Sequence, residues 1–110
     1  MPKRKILYIA GPYRAATINK TYHNIHEARR RMEWAWVNGY IPICPHMNSA
    51  FIDGIVEDEV IFSGYCRLVA GCDVIMMIDG WEESNGSIEE LIVAERNQLE
   101  RIPDPFGGPA

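Results

Sequence analysis

The sequence is poor in cysteine: Cys44, Cys66 and Cys72 are the only three in 110 residues, and no CxxC pair occurs. They make no disulfide framework, so a reduced, cytoplasmic protein is expected. No apolar run approaches the ~20 residues that span a bilayer. The basic opening PKRK has no signal-peptide apolar core behind it, and no membrane partner is expected. Charge is modest as well. A net charge of −4 argues against a general nucleic-acid binder. Neither GxxxxGK[ST] nor GxGxxG is present, and repeats and low-complexity segments are missing.

What remains is an ordinary globular composition, 47% hydrophobic and 24% charged. The length suits one domain, residues 1–106, with a loose tail at 107–110. Within it, apolar runs alternate with amphipathic segments. Lys5–Ala10 (KILYIA) predicts a strand closed by Gly11-Pro12, and GPYRAAT leads to a helix over about Asn19–Asn38. The helix stripe reads Tyr22, Ile25, Ala28 or the stem of Arg29, Met32, Ala35 and Trp36. Trp34 falls on the opposite face, as an exposed side chain or a subunit contact. Tyr40–Cys44 (YIPIC) is a second strand, placed at an edge by Pro42. Pro45-His46-Met47-Asn48 then turns, and a helix follows from Val56 or Glu57 to Ala70, with Val60, Ile61, Tyr65, Leu68 and Val69 as its apolar side.

The chain is organised around Cys72–Ala94. Val74–Ile78 is a short run suited to a strand buried on both faces. The polar loop Trp81–Gly86 precedes a helix carrying Ile88, Leu91, Ile92, Arg96 and Leu99 at helical spacing. A last strand at Ile102–Phe106 is doubtful, because two prolines interrupt it. The order β-α-β-α-β-α predicts an α/β fold, a small flavodoxin- or Rossmann-like three-layer sandwich. Its sheet should be mainly parallel, of three to five strands, with Lys5–Ala10 beside Asp73–Ile78. Ligands of such sheets bind beyond the carboxyl ends of the strands, where Asp79, Trp81, Ser84, Gly86 and Glu90 fall.

Each candidate also has a structural reading. Ser87-Ile-Glu-Glu90 matches a capping box, in which Glu90 only satisfies a backbone donor. Ser84-Asn85-Gly86 precedes a helix N-terminus and could hold an anion or only water. Gly11 and Arg14, also at a helix start, make a second anion cradle or hold only water. Tyr13 and Trp81 are either base-stacking groups or loop cover. His46 follows a strand and is either a ligand contact or a turn histidine, whereas His23 and His26 read as surface residues.

AGPYR after the first strand, PH after the second, and Ser84-Asn-Gly86-Ser-Ile-Glu-Glu90 together resemble the nucleoside 2-deoxyribosyltransferase-like superfamily, over about residues 4–95. The nearest subgroup is the 2′-deoxynucleoside 5′-monophosphate N-hydrolases. The resemblance implies that Glu90 is a nucleophile on C1′ of the sugar. A Ser at the first motif position, here Ser84, is typical of members that bind a 5′-phosphate, whereas an Asp is typical of those that bind a free 5′-hydroxyl. It implies no cofactor and no metal, a nucleotide or nucleoside as partner, no nucleic-acid polymer, and a homodimer or higher homo-oligomer. Gly11, Tyr13, Arg14, His46, Asp73, Trp81, Ser84 and Gly86 are assigned to substrate. The family's acid on the preceding helix is missing, since no carboxylate lies between Glu59 and Asp73. Its role is vacant or falls to Asp79, or to Asp58 if the helix is shifted. Three functions follow: N-glycosidic bond cleavage of a nucleoside 5′-monophosphate, base transfer between unphosphorylated nucleosides, or a non-catalytic nucleotide-binding module. A protein in which Glu90 is only a cap remains the fourth reading.

Overall fold

A computed structural model describes residues 3–107. Four strands form one sheet in the order β2-β1-β3-β4, and every pairing is parallel. They are β1 (Ile6–Ala10), β2 (Ile41–Ile43), β3 (Val74–Met77) and β4 (Glu100–Ile102). The helices are α1 (Ile18–Val37), α2 (Pro45–Asn48), α3 (Asp58–Ala70) and α4 (Asn85–Arg96), with a single 3₁₀ turn at Trp81–Glu83. The parallel α/β class, the adjacency of β1 and β3, and the edge position of β2 match expectation.

Alternation along β1 divides the core. Leu7 and Ile9 pack with Ala28 and Ala35 of α1 on one face. Tyr8 and Ala10 pack with Tyr65, Val69, Leu91 and Ala94 of α3 and α4 on the other. Right-handed crossovers require this arrangement. The chain moves one way along the sheet from β1 to β2 and the other way from β3 to β4, so their helices lie on opposite faces. The reversal leaves a crevice between the carboxyl ends of β1 and β3.

Several local expectations are corrected. Pro45–Asn48 is a short helix rather than a turn, with proline at its start, where the lost N–H costs nothing. The last strand lies before the prolines, at Glu100–Ile102, and pairs with β3 through Val74 to Met76. On α3 Tyr65 and Val69 are buried, while Val60 and Leu68 are exposed. On α1 the stripe carries a buried charge, Arg31, while Tyr22 and Trp36 stay exposed. Trp34 stacks on Tyr40 at 6.0 Å and packs against the core, so it has a place within the chain. Trp81 does too. The tail expected at 107–110 lies, beyond Gly107, outside the described residues.

Candidate active site

A cleft of about 700 Å³ opens at the carboxyl ends of the strands, between the Gly11–Arg14 turn, α2, the start of α3 and the start of α4. Glu90 lines it, on the buried face of α4 and only 8% exposed. The N-cap of α4 is Ser84, whose Oγ accepts from Ser87 N at 3.3 Å. Glu90 therefore has no part in a capping box, which corrects the local reading of S-x-x-E. Its carboxylate Oε2 instead accepts a hydrogen bond from the hydroxyl of Tyr8, which β1 points to the same face of the sheet. Tyr8 is fully buried, and a phenol in a buried strand needs such a partner.

Burial pushes the Glu90 carboxyl up to about 7, although the Tyr8 hydrogen bond pulls the other way. Burial, and then the neighbouring Glu90 charge, raises the Tyr8 phenol, so it stays a donor. Near neutral pH the pair presents a carboxylate balanced between its two protonation states at a cleft wall. A group so placed can act as nucleophile or proton carrier.

The Gly11–Arg14 turn is tied down residue by residue. A Cβ on Gly11 would meet Ile78 Cβ at 2.7 Å, so only glycine lets the turn approach β3 this closely. Pro12 O accepts from His46 Nε2 at 2.8 Å, and Tyr13 O accepts from Asn24 Nδ2 at 3.0 Å. The Tyr13 hydroxyl accepts from Phe51 N at 2.7 Å. Arg14 forks onto both oxygens of Asp58 at 2.9 and 2.6 Å. The turn lies upstream of Thr17, the cap of α1, so Gly11 and Arg14 are not at a helix start as expected.

His46 is 4% exposed. A carbonyl only accepts, so Nε2 carries the proton. Burial lowers the imidazole pKa, against the opposing carbonyls of Pro12 and Gly11, and the ring stays neutral. Its Nδ1 is then a bare acceptor with no partner among the described residues.

Gly11, Tyr13, Arg14, His46, Ser84, Gly86 and Glu90 thus share one cleft. Three assigned residues do not join them. Asp79 lines an adjoining cleft of about 500 Å³, on the α1 side of the Gly11–Arg14 turn. Asp73 sits at the amino end of β3, where its Oδ2 accepts from Ile6 N at 2.8 Å. That is the far end of the sheet. Trp81 packs against the α3–α4 core with Arg101 over its ring, at 5.1 Å, and lines neither cleft. Asp58, the first residue of α3, does line the Glu90 cleft and places a carboxylate where Asp79 does not. Tyr8 was missed altogether. Its signal was available, since a tyrosine inside a strand buried on both faces has a hydroxyl to satisfy.

Fold and cleft together define a small parallel α/β protein with a ligand-sized crevice at the carboxyl ends of its strands and a buried acid in the wall. A family model described as a domain of unknown function (DUF7768) matches residues 5–102, and the chain belongs to that family. No curated protein matches it. Among the described residues, no helix is long and apolar enough to cross a membrane.

Proposed function

We propose that this protein cleaves the N-glycosidic bond of a nucleoside 5′-monophosphate through a covalent sugar–Glu90 intermediate. The observation that carries the reading is the buried Glu90 carboxylate, held by Tyr8 in the wall of a cleft large enough for a nucleotide. The resemblance around Ser84 and Glu90 supports the same chemistry. Glu90 attacks C1′ as the bond to the base breaks. The base leaves with the bonding electrons and takes a proton from an acid. Water, or a second base, then opens the sugar ester and frees Glu90. Asp58 shares the cleft and Asp79 does not, but the Arg14 guanidinium holds the Asp58 carboxyl below its usual range, so it stands there as a carboxylate and the proton comes from another donor, such as water.

Support for a phosphate is the Ser84 hydroxyl at the N-terminus of α4, where a neutral cap leaves room for an anion. One observation favours the unphosphorylated alternative. Asp53, Asp58 and Glu83 also line the cleft, and they outnumber Arg14, the one Lys or Arg among its described lining residues. The test is release of free base, read by mass spectrometry, from matched panels of nucleosides and monophosphates. Release from nucleosides alone moves the assignment to base transfer or nucleoside hydrolysis. Binding without release leaves a nucleotide-binding module. Ser84→Asp should weaken the monophosphates by ~10-fold or more and spare the nucleosides, because it sets like charges together.

A two-fold homodimer belongs to the same proposal. A chain of this size buries a limited core, and Trp36, Val37, Tyr22 and Phe51 remain at least half exposed. Sedimentation at micromolar concentration should give a species of twice the 12.5 kDa chain mass. A monomer alone rejects it.

A further inference from the structure

The molecule holds two Arg–Asp forks of opposite character. Arg31 and Asp104 are 3% and 4% exposed and lock α1 to the C-terminal segment. Arg14 and Asp58 are 59% and 62% exposed, at the mouth of the Glu90 cleft. Buried forks are costly to open, whereas exposed ones contribute little and exchange readily.

Both bidentate edges of Arg14 already face carboxylates. Nη1 and Nη2 are taken by Asp58, and Nε faces Asp53 at 3.3 Å. An anion entering the cleft therefore meets one cation, already matched by two carboxylates. The Asp58 carboxylate offers that guanidinium the same pair of oxygens that a phosphate monoester offers. A ligand carboxylate carries the same single charge as Asp58 and gains nothing by replacing it. A phosphate dianion does gain. The released Asp58 returns to water at the start of α3, which an exposed side chain does at small cost.

We propose that Asp58 is a built-in competitor for Arg14, displaced by a phosphate dianion but not by a carboxylate, so that the fork sets the anion selectivity of the cleft. The inference rests on the reading above only in naming a nucleotide as the source of the phosphate. The competition itself involves Arg14, Asp58 and any phosphate.

The experiment titrates inorganic phosphate and acetate into wild type, Asp58→Asn and Arg14→Gln by calorimetry. The amide keeps the shape of the side chain and removes its charge. Asp58→Asn should bind phosphate ~10-fold more tightly than wild type and gain measurable affinity for acetate. Arg14→Gln should lose both anions. Unchanged or weaker phosphate binding in Asp58→Asn overturns the proposal, as does phosphate binding that survives Arg14→Gln. Absence of phosphate binding in all three proteins overturns it too. Thermal melts confirm that the variants fold, which the exposure of both residues favours. Inorganic phosphate has no glycosidic bond, so anion exchange without base release would remove the glycosidase reading and leave this one standing.

Discussion

Glu90→Gln is expected to reduce base release by ~1,000-fold or more while nucleotide affinity stays within a few-fold of wild type. Gln is nearly isosteric and can still accept from the Tyr8 hydroxyl, so the cleft keeps its shape. What it lacks is the lone-pair charge that attacks C1′. Activity that persists in Glu90→Gln would remove this residue from the mechanism. The same variant should be more stable than wild type at pH 8. A carboxyl with an ordinary value of 4.5 that is held at about 7 in the fold opposes folding once it must ionise there. The penalty is absent below pH 4.5, grows between 4.5 and 7, and is constant above. Its ceiling is about 3 kcal/mol. Urea unfolding of the two proteins at pH 4 and pH 8 should therefore show a gain for Gln only at the higher pH. Equal stability at both would mean that Glu90 is not strained by burial.

The rate should follow the same ionisation. With Glu90 as nucleophile, kcat/KM rises with pH through about 7 as the carboxylate forms. Tyr8→Phe removes the one hydrogen bond that favours the charged form, so its rising limb should move to higher pH. A role for Tyr8 confined to packing would leave the limb in place.

Much of the architecture was legible because it repeats locally. Val74–Ile78 is apolar at every position, which only a strand covered on both faces tolerates. Pro42 cannot donate to a ladder, and β2 is indeed an edge. The grouping of Ser84, Gly86 and Glu90 was legible for a similar reason, since all lie on one loop and helix start. The errors come from contacts that no local pattern encodes. Glu90 reads as a cap until Tyr8, 82 residues away, is brought to it. Arg31 is absent from the apolar stripe read on α1, yet it is buried, because Asp104, 73 residues on, neutralises it. Asp73 is a different kind of error. It precedes β3, so direction alone places it at the amino end of a parallel sheet, away from the Glu90 cleft.

Asp104→Ala should be the most damaging of these substitutions to stability. Asp104 accepts from Arg31 Nε and Nη2 at 3.0 and 2.9 Å, and from the backbone N–H of Asp79 and Phe106 at 3.1 and 3.0 Å. One carboxylate thus joins α1, the end of β3 and the segment after β4. Its loss leaves the Arg31 guanidinium buried with Glu27 as its remaining carboxylate, at 2.9 Å. Removing one partner of a buried pair costs about 3–5 kcal/mol, so a loss near 3 kcal/mol is expected, with a fall in Tm of roughly 10 °C or more. Asp104→Asn should cost less, because the amide oxygen can still accept from a backbone N–H while the charge is lost. The ratio of the two separates the ion pair from the backbone bonds. Acid should act in the same direction as the mutation. Burial alone would raise the Asp104 carboxyl, but the Arg31 fork and the two backbone donors outweigh it and hold it below its usual 3.8. A depressed carboxyl stabilises the fold above its unfolded value, and that contribution is lost as pH falls through the folded one. Wild type should therefore lose stability below pH 3.8, and Asp104→Asn should lose much less over the same range. An acid limb of equal depth in both proteins would place the acid sensitivity elsewhere than at this fork.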